Sequence, residues 1–176
     1  MKNMLVLTKT QITLCAALFL ALSGCQVFQD TPTATSVIQS KSGSNLNGSV
    51  NFSQSGKQVV VTGTFSVLKP NSEHGIHIHE KGDCSASDAM SALGHYNPTN
   101  SQHGSVQNAA HHAGDMPNIM SDASGNANYR ATLTDFSLVG DQTIIGRAVV
   151  VHRDPDDYKS QPAGNSGPRI GCGLIR

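Results

Sequence analysis

Apolar and polar residues alternate over short runs along much of this 176-residue chain. The clearest case is the run Asn126–Leu133. Its apolar residues Tyr129, Ala131 and Leu133 alternate with polar ones, which is typical of a strand with one face in the core and one in water. After position 25 no apolar stripe repeats at the helical spacing of about 3.6 residues, so strands rather than helices are expected.

Turn-forming residues, such as Ser55-Gly56, separate further runs of β-type sequence. The predicted strands are Ala34–Gln39, Gly48–Ser53, Gln58–Val67, His74–Glu80, Asn126–Leu133, Thr143–His152 and Arg169–Ile175. Two long segments, 81–121 and 153–168, lack such a pattern. Irregular loops of this length in a compact domain usually carry function.

The composition fits many short strands joined by turns. The chain has 17 glycines, 14% charged residues and only 5% aromatic residues. Its length predicts a single folded domain. The formal net charge is zero, with 12 basic and 12 acidic residues, and there is no basic run. Because nucleic-acid binding needs a positive surface, we expect no nucleic-acid partner.

The first 25 residues form a separate segment. Lys2 and Lys9 precede the uncharged run Ile12–Leu22, which has the length of the hydrophobic region of a signal peptide and is short for a membrane span. Small residues and Cys25 follow, and this arrangement resembles the lipobox of bacterial lipoproteins, in which the cysteine is acylated and becomes the mature N-terminus. The alternative is an ordinary secretory signal with an incidental cysteine.

This segment defines the expected organisation of the chain: a lipoprotein signal peptide at 1–24, a lipid-anchored tether at 25–33 and a folded domain at 34–176. We expect the protein in the periplasm or cell envelope, held in a bacterial membrane by lipid on Cys25. Gln26 stands where Asp commonly signals inner-membrane retention, so the outer membrane is expected. Without the signal peptide the chain keeps ten basic and twelve acidic residues, a net charge of −2.

The four cysteines have different expected fates. Cys15 leaves with the signal peptide and Cys25 carries lipid, which leaves Cys84 and Cys172 as a pair in an oxidising compartment. The alternative is two free buried thiols. A bridge across 88 residues would stabilise the fold by about 4–5 kcal/mol on the chain-entropy model.

Eight histidines, in a chain with few charges, are the main candidates for chemistry. Residues 74–80 read His-Gly-Ile-His-Ile-His-Glu. In a strand, His77 and His79 would share one face and the two isoleucines the other, so two imidazoles would point together at one metal ion. The alternative is a strand whose outer face is merely polar.

Further candidate ligands lie in the long segment 81–121. They are His95, His103, His112 and Asp115. Glycine and proline residues between them allow the loop to fold, and three imidazoles with one carboxylate suit tetrahedral zinc. His152 closes the apolar run Ala148–Val151, which would deliver it to a strand end. Imidazole-rich sites suit copper or zinc, so a metal protein is predicted.

Five motifs give the mature chain a resemblance to the copper/zinc superoxide dismutases in their bacterial periplasmic lipoprotein form. They are His74–Glu80, Gly94–Pro98, His112–Asp115, Ile145–His152 and Gly167–Cys172. The resemblance extends from about Ala34 to Ile175. It implies an all-β fold, a Greek-key β-barrel or sandwich of about eight antiparallel strands with two long functional loops. Cys84 and Cys172 match the intrasubunit disulfide of the family.

The resemblance also implies the metal ligands. Copper would be bound by His77, His79, His95 and His152, and zinc by His95, His103, His112 and Asp115. Asp156 would link ligands of both metals and fix their ring orientation. Arg169 would guide an anionic substrate towards copper. His74 and His111 receive no role in metal binding.

The implied activity is dismutation of superoxide to oxygen and hydrogen peroxide at a copper that alternates between Cu(II) and Cu(I). A structural zinc would share His95 as a bridging imidazolate, and His95 and Arg169 would be the catalytic residues. We expect one copper and one zinc per subunit, and a homodimer whose interface the resemblance does not define. The alternative is a non-enzymatic copper/zinc-binding or copper-delivery lipoprotein on the same fold, which would lack one of these residues.

One part of the chain departs from the family pattern. The segment between His152 and Arg169 is shorter than in the animal enzymes. Its Lys159 lies early, and Gln161-Pro162-Ala163 stand where those enzymes carry a guiding Lys-Thr. We therefore expect weaker steering of substrate by this loop.

Overall fold

A computed structural model describes residues 31–176 of the chain. The predicted signal peptide, the predicted lipid site Cys25 and most of the tether lie outside this range. The strands are β1 (Thr33–Ser40), β2 (Asn47–Ser55), β3 (Gln58–Ser66), β4 (Glu73–His74), β5 (Ile76–His79), β6 (Ile119–Met120), β7 (Ala127–Leu133), β8 (Ala148–His152) and β9 (Arg169–Leu174). One turn of 3₁₀ helix covers Met90–Ala92. Within 31–176 we find no helix with the length and apolar character of a membrane span.

Seven of the strands form one curled sheet in the order β5-β8-β9-β1-β2-β3-β7, and β4 and β6 form a small second sheet. All strands pair antiparallel. Residues 134–147 connect β7, at one edge of the large sheet, to β8 near the other edge, and the chain crosses similarly from β3 to β5. Such crossover connections are those of a Greek key, so the expected all-β fold is confirmed.

The core lies inside the curl and follows the alternation in the sequence. Every second residue of β1 and β7 is buried, and Val59, Val61 and Phe65 of β3 point to the same interior. The opposite face of these strands is solvent-facing and mostly polar, with Val37 and Val60 as its apolar residues. This pattern explains why β1, β2, β3 and β7 could be predicted closely.

β5 and β8 are instead buried on both faces. Their inner face contributes Ile76, Ile78, Val149 and Val151 to the core. Their outer face lies beneath the long loops, where Val150 packs in a second, smaller apolar cluster with alanines 89, 92 and 148 and with Cys172. The two long loops therefore cover one part of the barrel wall.

A disulfide joins Cys84 in the first long loop to Cys172 in β9, with 5.7 Å between the Cα atoms. The predicted bridge is therefore confirmed, and the alternative of two free thiols is wrong. The bridge fixes the loop against the outer face of β9, beside the smaller apolar cluster.

Three strand predictions are wrong in detail. The predicted strand His74–Glu80 is divided between β4 and β5, which lie in different sheets. The predicted strand Thr143–His152 begins only at Ala148, because a turn at Gly146, whose φ is +81°, separates it from the preceding residues. The segment 81–121, predicted as irregular, contains β6 at its end, paired with β4. A strand of two residues is too short to show a periodic pattern in sequence.

Candidate metal centre

β5 places two histidines on the outer face of the barrel. Ile76 and Ile78 point into the core, so His77 and His79 point to the opposite side, beneath the long loops. Both imidazoles are 0% exposed. Two imidazoles therefore project from one face of the strand, as predicted.

The first long loop is fixed to the free edge of β5. Isolated antiparallel pairings join His79 to His95 and His77 to Asp115. The N–H and the carbonyl of Ile78 each hydrogen-bond to this loop, at 2.9 and 2.8 Å. The strand edge thus brings loop residues next to the two strand histidines. These loop residues lie 16 to 38 positions further along the chain.

Four histidines form what we call the four-histidine cluster: His77, His79, His95 and His152. Each ring offers one nitrogen, and the four nitrogens lie within 4.8 Å of one another. The Nδ1 of His77 and the Nε2 of each other ring are buried without a hydrogen-bond partner among the described residues. Buried polar atoms are normally paired, so four converging unpaired nitrogens have the donor chemistry of a metal site.

A second group, the three-histidine carboxylate cluster, consists of His95, His103, His112 and Asp115. The Nδ1 atoms of His95 and His112 lie 2.8 and 3.4 Å from Oδ1 of Asp115, and Nδ1 of His103 lies 3.0 Å from Oδ2. His95 belongs to both clusters, with Nδ1 in this one and Nε2 in the other.

Asp156 links the two clusters from the second long loop. Its Oδ2 lies 2.8 Å from Nε2 of His77, and its Oδ1 lies 2.9 Å from Nε2 of His103. Asp156 is 2% exposed. One carboxylate therefore accepts hydrogen bonds from both rings, at the ring nitrogen that faces away from the cluster. These bonds fix the orientations of both rings.

Backbone carbonyls orient two further rings. Nδ1 of His79 hydrogen-bonds to the carbonyl of Leu93 at 2.8 Å, and Nδ1 of His152 to the carbonyl of Gly167 at 3.2 Å. With Nδ1 as the donor, Nε2 of each ring has its lone pair free for a metal ion. These two interactions cannot be predicted from the sequence, because any residue type can supply a backbone carbonyl.

Burial controls the protonation of the four-histidine cluster. Removal from water lowers the pKa of His77, His79 and His95, and lowers the pKa of His152 to about 4. Neutral imidazoles are the form that binds a metal ion. These four side chains are therefore ready to bind metal at neutral pH.

The three-histidine carboxylate cluster has the opposite electrostatic character. Burial opposes ionisation of Asp115, but hydrogen bonds from His103, His112 and His95 hold the pKa of its carboxyl far below the usual range. Burial likewise disfavours the charged form of His103, but hydrogen bonds to Asp115 and Asp156 raise the pKa of His103 to about 9. This cluster is therefore built around a fixed negative charge, which suits a divalent cation.

A cationic side chain stands next to the four-histidine cluster. Arg169 opens β9 and pairs with His152 across a β-bulge, and its Nη1 donates to the carbonyl of Ala89 at 2.8 Å. Burial lowers the pKa of the half-buried guanidinium, and the nearby charge of Asp88 raises it. A cavity of about 170 Å³ lies against His152, lined in part by Ala163 of the second long loop.

Two predicted bystanders lie outside both clusters. The Nδ1 of buried His74 hydrogen-bonds to the carbonyl of His152 at 3.1 Å. His111 is bonded to the carbonyl of Asn108 and lies 3.2 Å from Asp135 on the protein surface. Neither ring belongs to either group of converging ligand atoms.

The sequence reasoning missed two carboxamides that hold the site together. Asn118 accepts from the N–H of Asp156 at 2.9 Å and donates to its carbonyl at 3.0 Å. Gln161 pairs in the same way with both backbone groups of His103. Both side chains bind backbone atoms of loops, so no residue pattern in the sequence identifies their role. Only the departure of Gln161 from the family pattern indicated that this position differs.

The chain is similar to known proteins along most of its length. The family model described as copper/zinc superoxide dismutase (SODC) matches residues 46–175. Superoxide dismutase [Cu-Zn] 1 of Aquifex aeolicus (strain VF5) is 38% identical over 168 residues, 93% of this chain and 96% of the relative. Superoxide dismutase [Cu-Zn] of Paramecium bursaria Chlorella virus 1 is 40% identical over 136 residues, 74% of this chain and 72% of the relative.

A solved structure has the same fold. The crystal structure of the clock protein EA4 is 34% identical in sequence and superposes with a TM-score of 0.75. The match covers 84% of this chain and 96% of that protein.

Proposed function

This chain belongs to the copper/zinc superoxide dismutase family and catalyses the dismutation of superoxide with copper and zinc, and from that premise we propose which side chains hold each metal and where the enzyme works. The proposal assigns copper to the four-histidine cluster and zinc to the three-histidine carboxylate cluster. The single observation that carries it is the sharing of His95, whose two ring nitrogens face different clusters.

The donor sets support this division. The four-histidine cluster offers only neutral imidazoles, which suit copper in both of its oxidation states. The other cluster contains the ionised carboxylate of Asp115, and three imidazoles with one carboxylate are a common set for tetrahedral zinc. Copper supplies the one-electron redox chemistry, and zinc is redox-silent.

The side chains around the copper position then have separate tasks. Arg169 provides a fixed positive charge beside His152, so an anionic substrate is attracted to this point of the surface. Nε2 of His95 is the atom at which a proton can be held and passed to the reduced product, because its other nitrogen is directed to Asp115. Asp156 and the two carbonyls keep the remaining rings in place.

The assignment is tested by superoxide decay and metal content, measured on protein reconstituted with both metals. His152→Ala should lose copper and activity and keep zinc, whereas His112→Ala should lose zinc first. Arg169→Ala should keep both metals and lose about tenfold in rate at low ionic strength, with a weaker salt dependence. An equal loss of both metals in His152→Ala would contradict the division, and wild-type protein that binds copper without activity would favour a copper-delivery role.

The proposed location is outside the cytoplasm, with the domain held in a bacterial membrane by lipid on Cys25. Two observations support it: the lipobox-like sequence that ends at Cys25, and the Cys84–Cys172 disulfide, which is typical of an oxidising compartment. Only seven residues separate Cys25 from the first residue of β1, so the anchored domain would stay close to the bilayer.

The anchor is tested by fractionation of cells that express the full chain. Cys25→Ser should move the protein from the membrane fraction to the soluble fraction. Cys15→Ser, which changes a cysteine inside the proposed signal peptide, is the matched control and should leave the partition unchanged. If Cys25→Ser partitions like the wild type, the protein has no lipid at this position. Separation of inner and outer membranes on a density gradient tests the expected outer-membrane location.

We also expect a homodimer. Val37 of β1 and Leu174 of β9 are exposed neighbours on the outer face of the sheet, 61% and 39% exposed, and line one groove. A second copy of the chain would cover these apolar side chains. Val37→Asp should convert the protein to a monomer in analytical ultracentrifugation, and a wild-type monomer at micromolar concentration would contradict this part of the proposal.

A further inference from the structure

His103 stands in a part of the first long loop that has no strand to support it. Its Nε2 is hydrogen-bonded to Asp156 at 2.9 Å, and its Nδ1 lies at an ion-pair distance of 3.0 Å from Asp115. A ring held only at its nitrogens can still shift with its backbone. The position of the His103 main chain therefore needs its own support.

Gln161, from the second long loop, provides that support. Its Oε1 accepts a hydrogen bond from the N–H of His103 at 2.9 Å, and its Nε2 donates to the carbonyl of His103, also at 2.9 Å. This pair of hydrogen bonds resembles the two N–H···O bonds that a residue pair exchanges between antiparallel strands. It needs one acceptor and one donor on the same planar group, which among uncharged side chains of this length only glutamine supplies.

We propose that Gln161 is a positioning residue for zinc: it fixes the main chain of His103 so that Nδ1 of this ring stays directed at the zinc position. The inference rests on the proposed assignment of zinc to the three-histidine carboxylate cluster. Gln161 belongs to neither cluster, and its carboxamide reaches the zinc position through His103; it also lines the cavity that lies against His152. The same loop thus holds this ligand at two points, through Asp156 at the ring and through Gln161 at the backbone.

The packing of the second loop supports this two-point hold. Gly164 closes a turn through hydrogen bonds to Ser160 at 2.7 Å and Asp157 at 2.9 Å. It lies so close to the site that a Cβ there would overlap Oδ1 of Asp156 and stand 2.8 Å from Nε2 of His103. The turn therefore packs closely beside the contact between Asp156 and the ring of His103.

The exposed location of Gln161 allows an effect on ligand position to be distinguished from an effect on protein stability. Gln161 is exposed, and apart from its bonds to His103 its carboxamide makes only a longer bond of 3.3 Å to the carbonyl of Lys159. Loss of an exposed polar side chain usually changes protein stability little. A substitution at 161 is therefore expected to change zinc retention more than it changes folding.

The experiment measures zinc release from the fully loaded enzyme to an excess of a zinc-binding dye. Gln161→Met keeps the length of the side chain and removes both hydrogen bonds, and we expect it to release zinc about tenfold faster, at the low end of effects seen for residues that support metal ligands. Gln107→Met is the matched control, because Gln107 is exposed on the first long loop and its carboxamide makes no hydrogen bond within 31–176; its release rate should stay within about twofold of wild type.

A second readout reports the geometry of the site itself. Cobalt(II) placed in the zinc position gives visible absorption bands that depend on ligand geometry. These bands should shift in Gln161→Met and stay unchanged in Gln107→Met. Gln161→Glu keeps an acceptor for the His103 N–H and places an oxygen against its carbonyl, so its zinc release should also be faster than wild type.

The outcomes separate this inference from the zinc assignment. If His103→Ala keeps its zinc, the assignment is wrong and the inference falls with it. If His103→Ala loses zinc, and Gln161→Met and Gln161→Glu both release zinc at the wild-type rate with unchanged cobalt bands, the assignment stands and the positioning role is wrong. Should Gln161→Met fail to fold, the release rate of Gln161→Glu decides.

Discussion

At the scale of single residues, the orientation of each imidazole follows from the hydrogen bond on the ring nitrogen that faces away from its cluster. Leu93 and Gly167 supply carbonyls to His79 and His152, and Asp156 supplies one carboxylate oxygen to His77. In each case the bonded nitrogen carries the proton, and the other nitrogen keeps a lone pair for metal. Side chains and carbonyls that never touch metal thus decide which atoms can bind it.

Asp156→Asn tests this at the residue that serves both clusters. A carboxamide has a single acceptor oxygen, so one of His77 and His103 would face an NH₂ group and lose its orientation. We expect zinc affinity to fall by about 10- to 100-fold, since the effect passes through His103, and copper affinity to fall less. Competition with chelators of known affinity measures both values.

Asp141→Asn is the control for that change, because Asp141 is exposed and makes no ion pair or side-chain hydrogen bond within the described part of the chain. It should bind both metals as the wild type does. Equal zinc affinity in Asp156→Asn and the wild type would show that the carboxylate does not position His103.

At the scale of the elements, a strand with alternating residues places metal-binding side chains on one face and core side chains on the other. β5 could be predicted from this rule, because Ile76 and Ile78 identify the inner face and leave His77 and His79 outside. The start of β8 could not, since Ile144 and Ile145 look like strand residues and only the turn at Gly146 excludes them. The contact between Gln161 and His103 joins residues 58 positions apart through backbone atoms, which no local pattern encodes.

Removal of both metals should affect the elements unequally. The barrel is held by apolar packing, whereas the loop segments around His103 and Asp156 are held by polar contacts between the metal-facing side chains. In hydrogen exchange, amides of 101–118 and 156–167 should exchange at least tenfold faster in metal-free protein, and amides of β2 and β3 should change by less than about twofold. An equal increase throughout β2 and β3 would mean that the metals support the barrel itself.

The disulfide connects the first long loop to β9, and its effect on stability is set mainly by the 88 residues it spans. The double variant Cys84→Ser, Cys172→Ser should lose about 4–5 kcal/mol of unfolding free energy on the chain-entropy model. Guanidinium unfolding at fixed metal content measures this loss, and wild-type protein treated with a reductant should give the same value. A loss below about 1 kcal/mol would mean that the bridge only orients the loop.

At the scale of the whole molecule, the charge balance opposes the substrate. Residues 25–176 carry a net charge of −2, yet the substrate is an anion, so attraction depends on the local charge of Arg169. Asp88 precedes Ala89, whose carbonyl binds this guanidinium, and its negative charge acts on Arg169. The exposed Lys159 forms no hydrogen bond or ion pair with a metal-facing residue among those described.

Asp88→Asn should therefore increase the rate of dismutation. We expect a gain of about twofold at low ionic strength that disappears as salt screens the charge, because the Debye length falls to about 3 Å at 1 M. Pulse radiolysis over a range of salt concentrations measures it, with Asp141→Asn, in the connection between β7 and β8, as the variant of equal charge. A gain of the same size in both variants would assign the effect to net charge rather than to Asp88.

We expect His95 to join two different metals, copper in the four-histidine cluster and zinc in the three-histidine carboxylate cluster. Anomalous diffraction from crystals of the loaded enzyme, collected on both sides of the copper and zinc absorption edges, tests it most directly. We expect a copper signal between Nδ1 of His77 and Nε2 of His95, and a zinc signal between Nδ1 of His95 and Asp115. Either metal in the opposite position, or a His95 ring in contact with only one metal in the oxidised enzyme, would contradict it.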